Sequence, residues 1–340
     1  MPKRHTAGWS RREFLGVTLA GAAGLLGLKP EPLAAEPPLE TTTLRLIQFP
    51  PDDFCMAPQH VAEHLLREEG FTDVQYLKKD EMPEFHMALA SGEANINMLF
   101  VPDAVIQLDA GDPIVFLAGG HIGCFELFGS NQVRTVRDLK GKTVAVPDLR
   151  GGTITFVASM AAYVGLTHKD INWVIHSEAE SMQLFAEGKI DAFQASSPKL
   201  QEFRQKHIGH VVVNGTLDRP WSQYFCCMVA GNREFVRKHP VATKRALRAI
   251  LKGADLCGRE PERDAQLLMS KGYTNNYDPL LQALKEIPYG NWREYNPEDT
   301  VRFYALRLHE SGMIMSSPQK IIAEGTDWRF WHELKKEMKG

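Results

Sequence analysis

The sequence predicts an α/β protein of two lobes, each a mostly parallel sheet flanked by helices, with a cleft between them. Three observations carry that expectation. Thr143 to Val146 is a short β-branched and apolar run entered from Asp138-Leu139-Lys140-Gly141, the pattern of a buried strand. Pro147-Asp148-Leu149-Arg150-Gly151-Gly152-Thr153 follows as a loop. Ile154, Val157, Ala158, Ala161 and Val164 then recur at helical spacing up to Gly165, a C-terminal stop. Second, the same order of strand, loop and helix opens the folded part of the chain at Leu44 to Phe49. Third, Ala90-Ser91-Gly92-Glu93-Ala94-Asn95-Ile96 and Ala186-Glu187-Gly188-Lys189-Ile190-Asp191-Ala192 share the frame A-x-G-x-apolar-N/D-apolar, each closing a helix and feeding a strand. A-x-G is also a common helix-to-strand turn, so the repeat adds weight only beside the other two.

Glu36 to Thr43 is a Pro- and Thr-rich tether. The first strand, Leu44 to Phe49, ends in Pro50-Pro51-Asp52-Asp53 and must leave the sheet there, because proline cannot donate to a ladder. A helix from Ala57 to Glu69 is closed by Gly70. Val74 to Leu77 is a strand, Glu84 to Ala90 a helix, and Gly92 to Met98 turns into another strand. Val101-Pro102-Asp103 opens a helix, and Ile114 to Ala118 is an apolar strand ending at Gly119-Gly120-His121. Beyond the central unit, Ser177 and Glu180 stand at capping-box spacing. Ile190 to Gln194, Val211 to Val213 and Tyr224 to Ala230 read as strands, and Gly231-Asn232 breaks the last. Val241, Ala242, Ala246, Leu247, Ile250, Leu251 and Ala254 then form one apolar helix face, with Lys244, Arg245, Arg248 and Lys252 on a solvated one. The rest is helical, with breaks at Pro279, Pro288 and Pro297. Trp328, Phe330 and Trp331 are expected to pack the last helix against the first lobe. Lobe one is expected to take residues 44–130 and 230–340 and lobe two 131–229, with the chain crossing at Asn131 to Arg137 and Val229 to Asn232.

At 340 residues, 44% hydrophobic and 24% charged, the chain is long enough for two cores. A net charge of −3 gives no reason to expect nucleic acid or a bulk attraction to membranes. Five cysteines are too few for a disulfide-built scaffold. Cys55, Cys124, Cys226, Cys227 and Cys257 also lack CxxC spacing, so no zinc or iron–sulfur site, and no cofactor, is expected. At the N-terminus, Ser10-Arg11-Arg12-Glu13-Phe14-Leu15 precedes an apolar, Gly-rich run to Leu28 that is too short for a confident membrane span. That pattern fits a twin-arginine export signal with cleavage after Leu33-Ala34-Ala35. Residues 1–35 are therefore expected to be removed, and the mature protein to reach the periplasm already folded.

Asp138-Leu139-Lys140-Gly141-Lys142-Thr143-Val144-Ala145-Val146, followed downstream by Glu187-Gly188-Lys189-Ile190-Asp191-Ala192, resembles the solute-binding proteins of ABC importers. The likeness is to the nitrate, sulfonate and taurine group, whose domain is shared with the thiamine-pyrimidine (NMT1/THI5-like) proteins, and it runs from Leu44 onward. The resemblance implies a two-lobed type II periplasmic-binding-protein fold. It further implies a monomer that closes on a small molecule and delivers it to an ABC permease in the inner membrane, without catalysis. The ligand class implied first is a small organic anion, sulfonate- or carboxylate-like; a heteroaromatic thiamine-precursor-like pyrimidine is the alternative. Phe225-Cys226-Cys227-Met228 with Asn232-Arg233-Glu234-Phe235 is also similar to the cysteine-rich strand and following helix of fungal thiamine-pyrimidine synthases, single-turnover enzymes on this fold. Their pyridoxal-phosphate lysine and sacrificed histidine fall near Leu99 and Asp103 of this chain, where neither function is present. A ligand-gated sensory or interaction protein is a further alternative on the same lobes.

Candidate ligand contacts come from strand ends. Gln48, Phe49 and Asp53 stand where open α/β sheets bind ligands. Gly151, Gly152 and Thr153 free the first helical N–H groups for an anion or polar head group, and Arg150 beside them suits a carboxylate, sulfonate or phosphate. In the sulfonate and taurine branches this loop tends to carry Ser or Thr, and only Thr153 fits that pattern. His121 is a candidate for hydrogen bonding or stacking, beside the plain reading of a structural histidine. Ser196 and Ser197 close a strand; Phe49, Phe100, Tyr224 and Phe225 supply aromatic walls or core, with Phe225 the most core-like. Cys226 and Cys227, adjacent in a strand, should point to opposite faces, as buried thiols or with one, Cys226, reaching the cleft. His60, Glu63 and His64 match the H-x-x-E-H zinc signature, but both histidines fall opposite the apolar helix side with no third ligand, so coincidence and a solvent-facing or rim position are expected.

Overall fold

The computed structural model describes residues 36–49, 53–79, 82–147, 149 and 152–339. The expected signal segment, and Arg150 and Gly151, lie outside these residues. β1 (Thr43–Gln48) leads into two short helices, α1 (Ala57–Val61) and α2 (Glu63–Glu68), which divide at Ala62 the single helix expected there. β2 (Asp73–Lys78) returns parallel to β1. Then come α3 (Met82–Ser91), β3 (Ile96–Phe100), α4 (Val101–Ala110) and β4 (Ile114–Ile122). β5 (Phe125–Gly129), β6 (Thr143–Val146), α5 (Gly152–Tyr163), β7 (Asn172–Ile175), α6 (Glu178–Ala186), β8 (Ala192–Ser196), α7 (Lys199–Gln205) and β9 (His210–Asn214) follow. β10 (Phe225–Asn232) precedes a helical remainder: α8 (Arg233–Lys238), α9 (Pro240–Arg259), α10 (Pro261–Ser270), α11 (Tyr277–Glu286), α12 (Pro297–Ser311), α13 (Pro318–Gly325) and α14 (Arg329–Glu337).

Two strand layers result and they are wired alike, the first split into a two-stranded and a three-stranded sheet and the second a single five-stranded sheet. The second has strand order β7-β6-β8-β5-β9. In the first, β1 pairs with β2, and β10 lies between β3 and β4. The two copies of the helix-to-strand frame do the same work in each. Gly92 (φ 81°) and Gly188 (φ 68°) take the left-handed conformation that ends a helix. Asn95 N–H donates to the Arg45 carbonyl (2.8 Å) while its side-chain oxygen accepts from Arg45 N–H (2.9 Å). Asp191 N–H donates to the Thr143 carbonyl (2.8 Å) and its carboxylate accepts from Thr143 N–H (2.9 Å). The repeated motif thus ties each β1-type strand to its neighbour.

The seams differ. β6 pairs directly with β8, whereas β1 meets β3 through buried amides. Gln59 donates to the Ile47 carbonyl (2.7 Å) and to Asn97 Oδ1 (2.9 Å), and accepts from Met98 N–H (3.0 Å). Asn97 Oδ1 also accepts from Ile47 N–H (3.0 Å). Gln59 and Asn97 are fully buried, so these bonds replace water that is not there.

Strand pairing moves the chain crossings from their expected places. β5 pairs with β8 and β9, so residues 125–129 belong to the second sheet; β10 pairs with β3 and β4 from Phe225 onward. The crossings are therefore 123–124 and 215–224. The cause is the length of β4. Gly119 and Gly120, read as a strand end, lie inside it: a Cβ at Gly119 would sit 2.1 Å from the Phe225 ring, so glycine is what lets β10 run close alongside.

α9 buries Ala242, Ala246, Leu247, Ile250, Leu251 and Ala254 as its periodicity requires, about 1.5–3 kcal/mol for each large aliphatic side chain. Its basic residues are engaged. Arg248 pairs with Glu69 (2.6 Å) and Lys244 with Glu333 and Glu337 (2.8 and 2.6 Å). Phe330 and Trp331 are buried, and Thr326 bridges to Phe116 of β4, so the C-terminal segment covers that edge of the first lobe as expected.

Candidate functional site

A cleft of about 1010 Å³ opens between the strand ends of the two sheets. The first lobe supplies Phe49 and Asp53 beyond β1, Phe85 from α3, and Leu99 and Phe100 at the end of β3. The second supplies Phe125, the α5 N-terminal residues Gly152 and Thr153, Glu178 at the start of α6, Ser196 at the end of β8 and Ser197 after it. The aromatic rings are mutually packed: Phe49 lies 4.5 Å from Phe85, and Phe100 lies 5.0 Å from Phe125. The last contact runs between lobes, as does the Thr155 hydroxyl donating to buried Asp103 (2.7 Å) from α5 to α4. A cleft walled by rings with a few polar groups is the usual form of a small-molecule site.

Its charge is lopsided. Asp53, Glu178, Glu202 and Asp278 line it, and among the described lining residues Lys199 is the one lysine or arginine, 3.3 Å from Glu202. Burial pushes the Asp53 carboxyl up to about 8, with the neighbouring Cys55 adding to the rise, so at neutral pH it is a hydrogen-bond donor. Burial also raises Glu178, to about 6, against the bond from Ser196.

Beneath the cleft floor lies a group of thiols. Cys124 Sγ is 2.9 Å from Cys226 Sγ, and Cys226 Sγ is 3.9 Å from Cys227 Sγ. Donor atoms of Cys55, His121 and Cys124 all lie within 4.8 Å of one another. Adjacent strand residues should not share a face, but β10 carries register shifts between Phe225 and Cys227 and between Cys227 and Met228. Such a bulge re-aims side chains, and here it brings Cys226 and Cys227 together. The expectation of opposite faces is therefore corrected. Burial alone would lower the His121 imidazole; its contacts with the neighbouring Cys227 and Cys55 and the Ile122 carbonyl reverse this and lift it to about 9.

Of the residues expected at the site, Phe49, Asp53, Phe100, Gly152, Thr153, Ser196 and Ser197 line the cleft. Arg150 and Gly151 are outside the described residues. Four do not line it. Gln48 is held in the β1–β2 ladder opposite Lys78, and Tyr224 stacks on Phe303 at 4.0 Å, away from the cleft. His121 is buried one layer below, its ring nitrogens 3.2 Å and 3.1 Å from the Ile122 and Cys55 carbonyls. Cys226 is buried too, and Cys227 takes the cleft position because the bulge shifts the strand's alternation. Phe225 is fully buried core, as read. Sequence reasoning missed Cys55, Phe85 and Glu178; Glu178, next to the capping serine Ser177, carried the one usable signal. His60 also departs from expectation. It is buried and stacked on Tyr273 at 4.0 Å, and burial drops its imidazole to about 3, because the chain after α10 folds over that side of α1.

This arrangement, two like-wired α/β lobes facing each other across a strand-end cleft, is the two-lobed type II periplasmic-binding-protein fold. The family model described as NMT1/THI5 like matches residues 66–264, and the chain belongs to that family. Among solved structures, the chain is similar to the periplasmic nitrate-binding protein NrtA of Synechocystis, at 16% identity and TM-score 0.70, over 89% of this chain and 90% of that one. It is similar to the alkanesulfonate-binding protein SsuA of Xanthomonas axonopodis, at 16% identity and TM-score 0.64, over 87% of this chain and 100% of the other. The desulfurization enzyme DSZB has the same fold at 12% identity and TM-score 0.59, over 87% and 99% of the two chains. No curated protein matches the sequence.

Proposed function

We propose that this protein is an extracytoplasmic solute-binding component of an importer, which captures a small molecule by lobe closure and presents it to a membrane permease. The wiring of the lobes supports this, because crossings at 123–124 and 215–224 are the only covalent links between the sheets among the described residues, and a hinge needs few such links. Closure draws on a ligand's higher affinity for the closed form. The segment with Arg11 and Arg12 supports periplasmic delivery by the twin-arginine route. No catalytic group is required. Leu99 lines the cleft where the related synthases carry their lysine, which speaks against pyridoxal chemistry.

The ligand class we favour is a small heteroaromatic molecule bearing hydrogen-bond donors, such as an aminopyrimidine. The observation that carries it is the pairing of phenylalanine rings, packed tilted and edge-on against one another, with the Asp53 and Glu178 carboxyls in one cleft. A protonated Asp53 can donate to a ring nitrogen, and ionised Glu178 can accept from an amino group. A small organic anion is the second reading, favoured by Gly152 and Thr153, which bring the α5 N-terminus to the cleft, with Arg150 two residues ahead of Gly152 in the sequence.

Thermal unfolding of the mature protein against aminopyrimidines, sulfonates, carboxylates and nitrate tests this. A ligand at 100 times its Kd adds about 2.7 kcal/mol. A shift with aminopyrimidines, lost in Glu178→Gln, is expected. A shift confined to anions and lost in Arg150→Ala would replace the heteroaromatic reading. A flat panel would turn weight to a sensory role on the same lobes.

A further inference from the structure

Four of the five cysteines come from three separate parts of the chain: Cys55 before α1, Cys124 at the first lobe crossing, and Cys226 and Cys227 on β10. All four are buried, with His121 beside them. Two backbone features hold them there. Cys124 has φ 78°, in the left-handed region that a side chain other than glycine rarely adopts. The β10 bulge turns Cys226 and Cys227 to one side. A fold that only needed small apolar side chains would have no use for either distortion, since alanine or serine in regular strands would fill the space.

We propose that Cys55, Cys124, Cys226 and Cys227 form a binding site for a thiophilic d¹⁰ cation, zinc or copper(I), with His121 packed beside it and held by the Ile122 and Cys55 carbonyls. Soft thiolates select such ions over hard cations. In a tetrahedral zinc–thiolate site with Zn–S near 2.3 Å, neighbouring sulfurs stand about 3.8 Å apart. The Cys226–Cys227 separation of 3.9 Å matches that edge; the Cys124–Cys226 separation of 2.9 Å needs a small opening; Cys55, His121 and Cys124 lie within 4.8 Å of one another. The four thiols are the number a closed tetrahedral site takes. Cys55 and Cys227 also line the cleft, so the cation would sit between the hinge crossing and the ligand space, open to the latter through these two residues. The absence of CxxC spacing hid this site, because its donors are neighbours only after folding.

The test uses full-length mature protein, purified reduced and without oxygen, loaded separately with Zn²⁺, Cu⁺ and Co²⁺ and then desalted. About one equivalent of zinc or copper per chain is expected to remain, and cobalt should give the intense sulfur-to-metal charge-transfer absorption of thiolate ligation. Cys124→Ser and Cys226→Ser should weaken retention on the order of 100-fold or more, while Cys257→Ser, buried in α9 outside the group, should leave it unchanged. Cys55→Ser and Cys227→Ser, at the cleft edge, repeat the test should the deeper variants fail to fold. Wild-type protein that holds no metal and shows no cobalt–sulfur band would overturn the proposal. So would a Cys124–Cys226 disulfide in protein freshly isolated from the periplasm, or equal loss on Cys257→Ser.

Discussion

The two lobes use one wiring scheme and make opposite things of it. In both, a left-handed glycine ends a helix and an Asn or Asp three residues on clamps the neighbouring strand, through Asn95 and Arg45 in one and Asp191 and Thr143 in the other. Where the sheets face the cleft the likeness ends. The first lobe presents aromatic rings, a protonated Asp53 and the edge of a thiol group, and its β1–β3 seam is closed by side-chain amides. The second presents a helix N-terminus, Glu178 and two serines, and its β6–β8 seam is an ordinary backbone ladder. The scaffold is repeated, then, and the chemistry is placed at strand ends and crossings where the repeat exerts no constraint.

The seam difference can be broken directly. Gln59→Leu leaves the Ile47 carbonyl and the Met98 N–H buried without their amide partner, and about 3 kcal/mol of stability should be lost, read from urea unfolding. A loss under about 1 kcal/mol would mean that β1 and β3 do not depend on the amide seam. The clamps sharpen the comparison further. Asn95→Ala should cost about 2 kcal/mol, because Asn95 is buried, and Asp191→Ala about 1 kcal/mol, because Asp191 is half-exposed and water can replace its carboxylate. Equal costs would show that burial is not what separates the two lobes here.

The smallest effect is one of pH. Burial raises Glu178 from 4.5 to about 6, so the folded protein holds this proton more tightly than the unfolded chain. Between those values the folded state binds more protons, and stability contributed by this group falls as pH rises through the window. Glu178→Gln should remove that fall. Comparing urea midpoints of wild type and variant across the window measures it, and parallel profiles would contradict the assignment.

What was legible in the sequence follows the same division. β6 ran over its expected residues, Ser177 and Glu180 formed their capping box (3.3 Å and 3.1 Å), and the buried face of α9 followed its periodicity, because these depend on local spacing alone. Gly119 and Gly120 misled, since glycine signals either a strand end or a close approach, and only the Phe225 ring over Gly119 and the Cys227 backbone and Met98 side chain over Gly120 decide which. The crossings slipped with them. At the cleft, strand-end residues such as Asp53, Phe100, Thr153 and Ser196 were found from topology. Cys227, His121 and His60 were misplaced because a bulge and long-range packing, neither visible in spacing, set their directions.

The central claim is that one ligand is held from both lobes at once. Isothermal titration of the aminopyrimidine that most raises the unfolding temperature should be run on wild type, Asp53→Asn and Glu178→Gln. Each variant is expected to weaken binding on the order of 10-fold or more, one carboxyl acting from each lobe. Wild-type affinity in either variant would place the ligand against a single lobe and contradict the account.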